Sequence, residues 1–276
     1  MKLSVSNIAW DVEEDSAMVD LLHRYGVDTI DVAPGKYFPD PVAATEQQIS
    51  DVKHWWAQRG IEITGMQALL FGTSGLNVFG SAESQENLLK HMAGVCRIGA
   101  GLGATKLVFG SPKNRDRSGL SDAEAMVIAV AFFKKLGDIA KEQGVVVCLE
   151  PNPAHYGANF MTTSEETASV VSQIAHPAIK MQLDTGALAI NGEDCSGVLE
   201  HHVALIGHIH LSEPDLVPLG DGAVDHGKIA QSIKEYLSEH VATIETVATK
   251  NEPHLVAVER SLTVAVNFYR NQTSRE

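Results

Sequence analysis

The run Val145-Val146-Val147-Cys148-Leu149-Glu150 decides how this chain is read, because an unbroken apolar stretch ends there on a carboxylate. The same figure returns in Met181-Gln182-Leu183-Asp184, Ile206-Gly207-His208-Ile209-His210 and Ala242-Thr243-Ile244-Glu245. The four closing residues lie 34, 26 and 35 positions apart, each about one strand-plus-helix unit of a barrel. Near-continuous apolar runs are what strands need when both faces of a parallel sheet are covered.

Working outward, β-branched runs alternate with amphipathic stretches along the whole chain, the pattern of repeated βα units. Strands are expected over 3–8, 29–32, 61–68, 106–109, 145–150, 179–183, 205–211 and 243–247. Helices are expected over 14–25, 45–59, 84–101, 122–143, 164–175, 228–239 and 253–269, with a short sixth over 194–202. Thr163 precedes Ser164-Glu165-Glu166 as a capping hydroxyl with early carboxylates, which satisfies exposed helix-start amides. Gly26, Gly60 and Gly144 each follow a helical stretch just before a strand, the place of a left-handed C-terminal cap.

Eight such units imply a (β/α)8 barrel forming a single domain over 1–276, and 276 residues suit a fold that takes about 250. An open doubly wound sheet also alternates, but it carries a glycine-rich phosphate loop after its first strand. Here that loop reads Asn7-Ile8-Ala9-Trp10, and Gly99-Ala100-Gly101-Leu102-Gly103 sits between a helix and a strand, the reverse order.

Composition narrows the function. Hydrophobic residues make up 44% and charged residues 20%, and no biased tract marks a linker. A net charge of −14 repels a phosphate backbone, so no nucleic-acid partner is expected. The opening MKLSVSNIAW lacks the features of an export leader, and no apolar stretch approaches a membrane span. Cys96, Cys148 and Cys195 show no CxxC spacing, so neither a disulfide framework nor a cysteine-based zinc site is expected, and a cytoplasmic location is the default.

In a barrel of this kind the functional groups project from the C-terminal strand ends. Glu150, Asp184, His210 and Glu245 close four consecutive strands, so they are expected to converge. Three carboxylates and one imidazole suit an octahedral divalent ion, Mn²⁺ or Mg²⁺ first, with Zn²⁺ or Co²⁺ as further candidates. Without a cation the carboxylates repel one another and need raised pKa values or strong donors. Each alone has a plain alternative as a turn or cap group. His208 and His210 share one strand face by alternation, and only His210 sits nearer the mouth.

At these residues the chain resembles the sugar phosphate isomerase/epimerase family of xylose isomerase-like TIM barrels, which includes ketose 3-epimerases, hydroxypyruvate isomerases and inosose dehydratases. The resemblance rests on Leu149-Glu150-Pro151-Asn152, on Leu183-Asp184-Thr185-Gly186, on His208-Ile209-His210-Leu211-Ser212-Glu213 and on Gly220-Asp221-Gly222-Ala223-Val224-Asp225. It implies one divalent metal on Glu150, Asp184, His210 and Glu245, with Glu150 and Glu245 also transferring protons. A metal chelating an α-hydroxy ketone stabilises an enediolate and makes the adjacent C–H acidic enough for a carboxylate base. Return of the proton from the other glutamate gives epimerisation, and departure of a β-hydroxyl gives dehydration.

Two positions depart from the ketose 3-epimerase pattern. A histidine found three residues after the aspartate in many relatives is Ala187 here, and an arginine six residues after the metal histidine is Leu216. His155, in the loop 151–160, is a candidate replacement that reaches substrate, with a loop-bracing role as its alternative. Trp10 is a candidate for stacking on a sugar face, with core packing as its alternative. Lys106 is read as a solvated charge below the barrel, and Lys113 and Arg115, followed by Asp116 and Arg117, as a mixed surface loop rather than a phosphate site. The glycines at 72, 75 and 80 suit either a lid over the mouth or an ordinary loop.

The expected function is therefore metal-dependent isomerisation or epimerisation of a keto sugar or related polyol ketone by a homodimer or homotetramer. A lyase acting on a keto-inositol or 3-keto sugar through the same enediolate is the first alternative. An endonuclease IV-like metal phosphodiesterase is opposed by the acidic surface, and most of the 12 histidines lie away from the expected strand tops. A sugar-binding barrel without catalysis would have no need of two glutamates as potential bases.

Overall fold

The structure is a computed structural model that describes residues 1–270. Eight parallel strands close into a barrel in sequence order: β1 (Lys2–Ser6), β2 (Thr29–Val32), β3 (Glu62–Met66), β4 (Lys106–Phe109), β5 (Val146–Leu149), β6 (Ile179–Asp184), β7 (Ile206–Leu211) and β8 (Val241–Ile244), with β1 and β8 paired to complete the ring. The helices are α1 (Asp15–Arg24), α2 (Glu46–Ala57), α3 (Ala82–Leu102), α4 (Asp122–Glu142), α5 (Ser164–Ile174), α6 (Thr185–Asn191), α7 (Cys195–His202), α8 (His226–Tyr236) and α9 (His254–Tyr269). Every expected strand is present. β2 and β4 match residue for residue, while β3 and β8 end earlier than expected.

The local chemistry explains the boundaries. Helix α5 begins where the Thr163 hydroxyl accepts the Glu166 amide at 3.1 Å, and α4 begins with a reciprocal box between Ser121 and Glu124. Each such cap contributes about 1 kcal/mol. Gly144 has φ +69°, the left-handed conformation that stops α4 and turns the chain into β5 at little steric cost. The unexpected element is α6, seven residues capped by Asp184 itself, whose Oδ1 accepts the Ala187 amide at 2.6 Å. A helix that short has no periodic pattern to announce it.

Inside the barrel lies a polar layer. His208 on β7 meets Asp31 on β2 at 2.6 Å, and Thr243 on β8 donates to the same carboxylate oxygen at 3.0 Å. β2 and β7 are not neighbours, so this bond crosses the interior and ties opposite walls together. Asp31 is fully buried. Burial raises its pKa, but His208 and Thr243 outweigh that and hold it below the ordinary carboxylate value. Among the described residues no helix is long and apolar enough to cross a membrane.

Candidate metal centre

The strand ends of β5 to β8 carry the site. Asp184 and His210 are register partners on β6 and β7. Glu150 and Glu245 stand one residue past β5 and β8, yet each stays on the sheet through its amide: Glu150 N donates to Phe109 O at 3.2 Å and Glu245 N to Leu211 O at 2.8 Å. One ligand atom from each of Glu150, Asp184, His210 and Glu245 lies within 4.8 Å of every other, and all four residues are buried. His208 sits a layer lower on the Asp31 carboxylate, as alternation along β7 dictates.

Each glutamate is anchored through one carboxylate oxygen and presents the other to His210, whereas both oxygens of Asp184 are held. Glu150 Oε2 accepts from Asn152 Nδ2 at 3.1 Å, and Glu150 Oε1 points to His210 Nδ1 at 3.4 Å. Glu245 Oε1 accepts from Gln67 Nε2 at 2.6 Å, and Oε2 lies 3.1 Å from His210 Nδ1. Asp184 is held by Ser212 Oγ at 2.8 and 2.9 Å. A Cβ at Gly110 would lie 2.0 Å from Glu150 Oε2, so only glycine leaves room for that carboxylate.

What remains unpaired points inward. Both ring nitrogens of His210 and Glu150 Oε1 are buried without a hydrogen-bond partner, a costly state for groups that bind protons or cations. The electrostatics agree. Burial, followed by the charges of Glu150 and Glu245, pushes the Asp184 carboxyl up to about 8. For His210, burial favours the neutral ring, but the two glutamates beside it raise its pKa well above the usual imidazole value. For Glu150, burial raises the pKa, but His210, Asn152 and Arg115 outweigh it and the net shift is downward. Three carboxylates and an imidazole packed this closely, with Asp184 and His210 driven to hold protons, fit a divalent cation that would supply the balancing charge instead.

Above this cluster opens a cavity of about 1040 Å³ spanning the whole mouth. Its remaining wall comes from the ends of β1 to β4, including Ile8, Ala33, Leu69, Phe71 and Lys113. Ala187 and Leu216 also face it, so the two departures from the ketose 3-epimerase pattern put apolar side chains on the cavity wall.

Other sequence expectations are corrected. Trp10 is 0% exposed, is absent from the cavity wall and donates from Nε1 to Asp15 Oδ1 at 2.7 Å, so it packs in the core at the start of α1. His155 is also absent from the wall. It is exposed and braces the rim through Asp215 at 3.0 Å, while its neighbour Tyr156 reaches the cavity. Arg115, expected on the surface, is 0% exposed. Gln67 and Asn152, which hold the two glutamates, were not singled out. Gln67 follows the apolar β3 as Glu150 follows β5, so the same strand-end rule finds it. The Glu213 carboxylate in the His-Ile-His-Leu-Ser-Glu segment is buried and accepts the amides of Gly220 at 2.9 Å and Val224 at 3.0 Å. That part of the motif shapes the loop after β7.

Residues 19–264 match the family model described as xylose isomerase-like TIM barrel, and the chain belongs to that family. It is 29% identical over 98 residues to an inosose dehydratase of Geobacillus thermodenitrificans, covering 36% of this chain and 32% of that protein. It is 26% identical over 117 residues to a D-psicose 3-epimerase of Enterocloster bolteae, covering 42% and 38%. These alignments span only about a third of each relative's length. The fold superposes on a D-psicose 3-epimerase from Clostridium cellulolyticum solved with D-tagatose, with TM-score 0.79, 18% identity and 98% of both chains covered. It also superposes on the IolI protein solved with a zinc atom, with TM-score 0.76, 17% identity and 98% of both chains covered.

Proposed function

We propose that this protein is a metal-dependent isomerase or epimerase of a keto sugar or related polyol ketone, holding one divalent ion on Glu150, Asp184, His210 and Glu245. The observation that carries this reading is the inward-facing set of ligand atoms within 4.8 Å of one another, with both His210 nitrogens and Glu150 Oε1 buried and unpartnered. The all-N,O donor set suits Mn²⁺ or Mg²⁺, and the zinc seen in a structural relative keeps Zn²⁺ in the same test. A divalent ion held there would stabilise the negative charge that builds on substrate oxygens as a proton leaves the neighbouring carbon.

The chain's own groups supply the proton transfer. Glu150 and Glu245 each keep one oxygen on an amide donor and the other free at the cluster, so each presents a fixed acceptor or, once protonated, a fixed donor. Removal of a proton by one and return by the other inverts a carbon beside a ketone. The four groups are buried at the cavity floor, and the low local dielectric there strengthens their electrostatics. The cavity of about 1040 Å³ is wide enough to admit keto sugars that carry a further substituent.

The test is metal analysis of protein purified without chelator, followed by keto hexoses, keto-inositols and 3-keto glycosides incubated in D₂O and read by NMR. Deuterium on carbon with every oxygen retained is the expected result. The similarity to an inosose dehydratase favours the lyase as the second reading, and an unsaturated ketone as product would establish it. Protein that takes up no divalent ion and exchanges no carbon-bound hydrogen overturns both.

A further inference from the structure

The two glutamates of the centre are each held by an amide side chain, and the two amides differ in one respect. Gln67 donates to Glu245, but its own Oε1 is buried without a partner. Asn152 donates to Glu150, and its Oδ1 accepts from Nη2 of Arg115. Arg115 closes the short turn 112–115 after β4, is completely buried, and does not line the cavity. Its Nε and Nη1 have no partner. A buried guanidinium kept with two idle donors is a poor device for stability alone, since desolvating a cation costs more than one hydrogen bond returns.

We infer that Arg115 is a positioning residue that fixes which way the Asn152 amide faces, and through it which oxygen of Glu150 is left for the metal. This inference rests on the metal-centre reading above. An asparagine side chain offers an acceptor face and a donor face of nearly equal shape, and nothing in its own geometry selects between them. A guanidinium can only donate. Arg115 therefore turns Oδ1 toward itself and leaves Nδ2 facing Glu150. The carboxylate accepts through Oε2, which is also confined against Gly110, and Oε1 faces His210 at 3.4 Å. A flipped Asn152 would put its carbonyl oxygen against the Glu150 carboxylate, and the repulsion would push Glu150 off the cluster. Residues that orient metal ligands in this way commonly set affinity by about 10- to 100-fold.

The chemistry of the donor supplies the test. Arg115→Lys keeps a group that can only donate, whereas Arg115→Gln introduces an amide that can present either face to Asn152. Arg115→Met fills similar space with no donor. The probes are Mn²⁺ and Zn²⁺ themselves, titrated calorimetrically into full-length chelator-treated protein, with the melting temperature of the metal-free protein measured beside them.

Weakening of metal affinity by about 10-fold or more in Arg115→Gln and Arg115→Met, with Arg115→Lys within about threefold of the parent, is the expected result. In an Asn152→Leu background the Arg115→Gln change should add nothing, because its effect runs through the amide that is gone. If Arg115→Met does not fold, the Lys and Gln variants carry the comparison alone. Arg115→Gln with the parent's affinity, or Arg115→Lys losing as much as Arg115→Gln, overturns the inference while the metal reading stands. A parent protein that binds neither ion overturns the metal reading, and the inference falls with it.

Discussion

The mouth of this barrel is built in two unlike halves. The ends of β5 to β8 supply Glu150, Asp184, His210 and Glu245, all buried and all aimed at one another. The ends of β1 to β4 supply a mainly apolar wall, with Leu69 and Leu70 buried and Phe71 standing 88% exposed. One half concentrates nearly buried charge at the cavity floor, and the other offers shape. Under the proposed function the difference divides the work: the acidic half would carry the chemical step, and the apolar half would select which molecule is presented to it.

The largest effect that sharpens this contrast is expected from the acidic half. Glu150→Gln or Glu245→Gln removes a proton carrier while keeping the side chain's shape, and should lower the rate of carbon-bound hydrogen exchange in D₂O by roughly 10²- to 10⁴-fold. Comparable losses from substitutions confined to the β1 to β4 wall would erase the division of labour. A second effect concerns pH. The Asp184 carboxyl is pushed up to about 8 from an ordinary 3.8, so between those values the folded metal-free chain holds a proton that the unfolded chain has released. Across that window the contribution of Asp184 to stability falls as pH rises. Metal-free Asp184→Asn should lack this slope, so its melting temperature should gain on the parent's from pH 4 to pH 8, as followed by calorimetry. Metal uptake by the parent should release protons and weaken toward acid pH, and a pH-independent affinity would remove Asp184 from the ligand set.

The acidic half was legible in the sequence because its signal is local: an apolar run that ends on a charged residue, repeated at barrel spacing. His210 was separable from His208, which shares its strand face, because it lies nearer the C-terminal end of the strand. The neighbours that hold those ligands were hidden for a physical reason. Gln67 reaches Glu245 across the mouth from the end of β3, which depends on closure of the ring, and Arg115 reaches Asn152 between the loops after β4 and β5, which depends on how those loops pack. Arg115 sits in a run that reads as surface, Lys113-Asn114-Arg115-Asp116-Arg117, and only tertiary packing turns its side chain inward. Trp10 misled in the opposite sense, since it follows β1 at the mouth, but its indole finds Asp15 at the start of α1. Position along a strand predicts which end of the barrel a residue occupies, and does not predict whether a large side chain folds back into the core.

Gln67 joins the two halves, and its replacement tests how sharply they divide. Gln67→Leu leaves Glu245 Oε1 without its 2.6 Å donor while the four ligands stay in place. Mn²⁺ affinity measured by titration should weaken by about tenfold, well short of the loss on removing a glutamate. An unchanged affinity would mean that the strand backbone alone orients Glu245, through its amide bond to Leu211.

The smallest effect belongs to Phe71, the most exposed large hydrophobic among the described residues and a part of the cavity wall. An aromatic ring left in water at the edge of a site contributes little to the fold, so Phe71→Ala should change stability by no more than about 0.5 kcal/mol. If the ring instead covers an apolar face of the substrate, about 40 Å² of lost contact corresponds to about 1 kcal/mol, roughly fivefold in KM with kcat unchanged. That pattern separates binding from chemistry on the two sides of the mouth. A lower kcat would carry Phe71 over to the chemical side. A fall in sedimentation mass with both constants intact would make the ring a contact between subunits, and the apolar half would then owe its exposed surface to assembly.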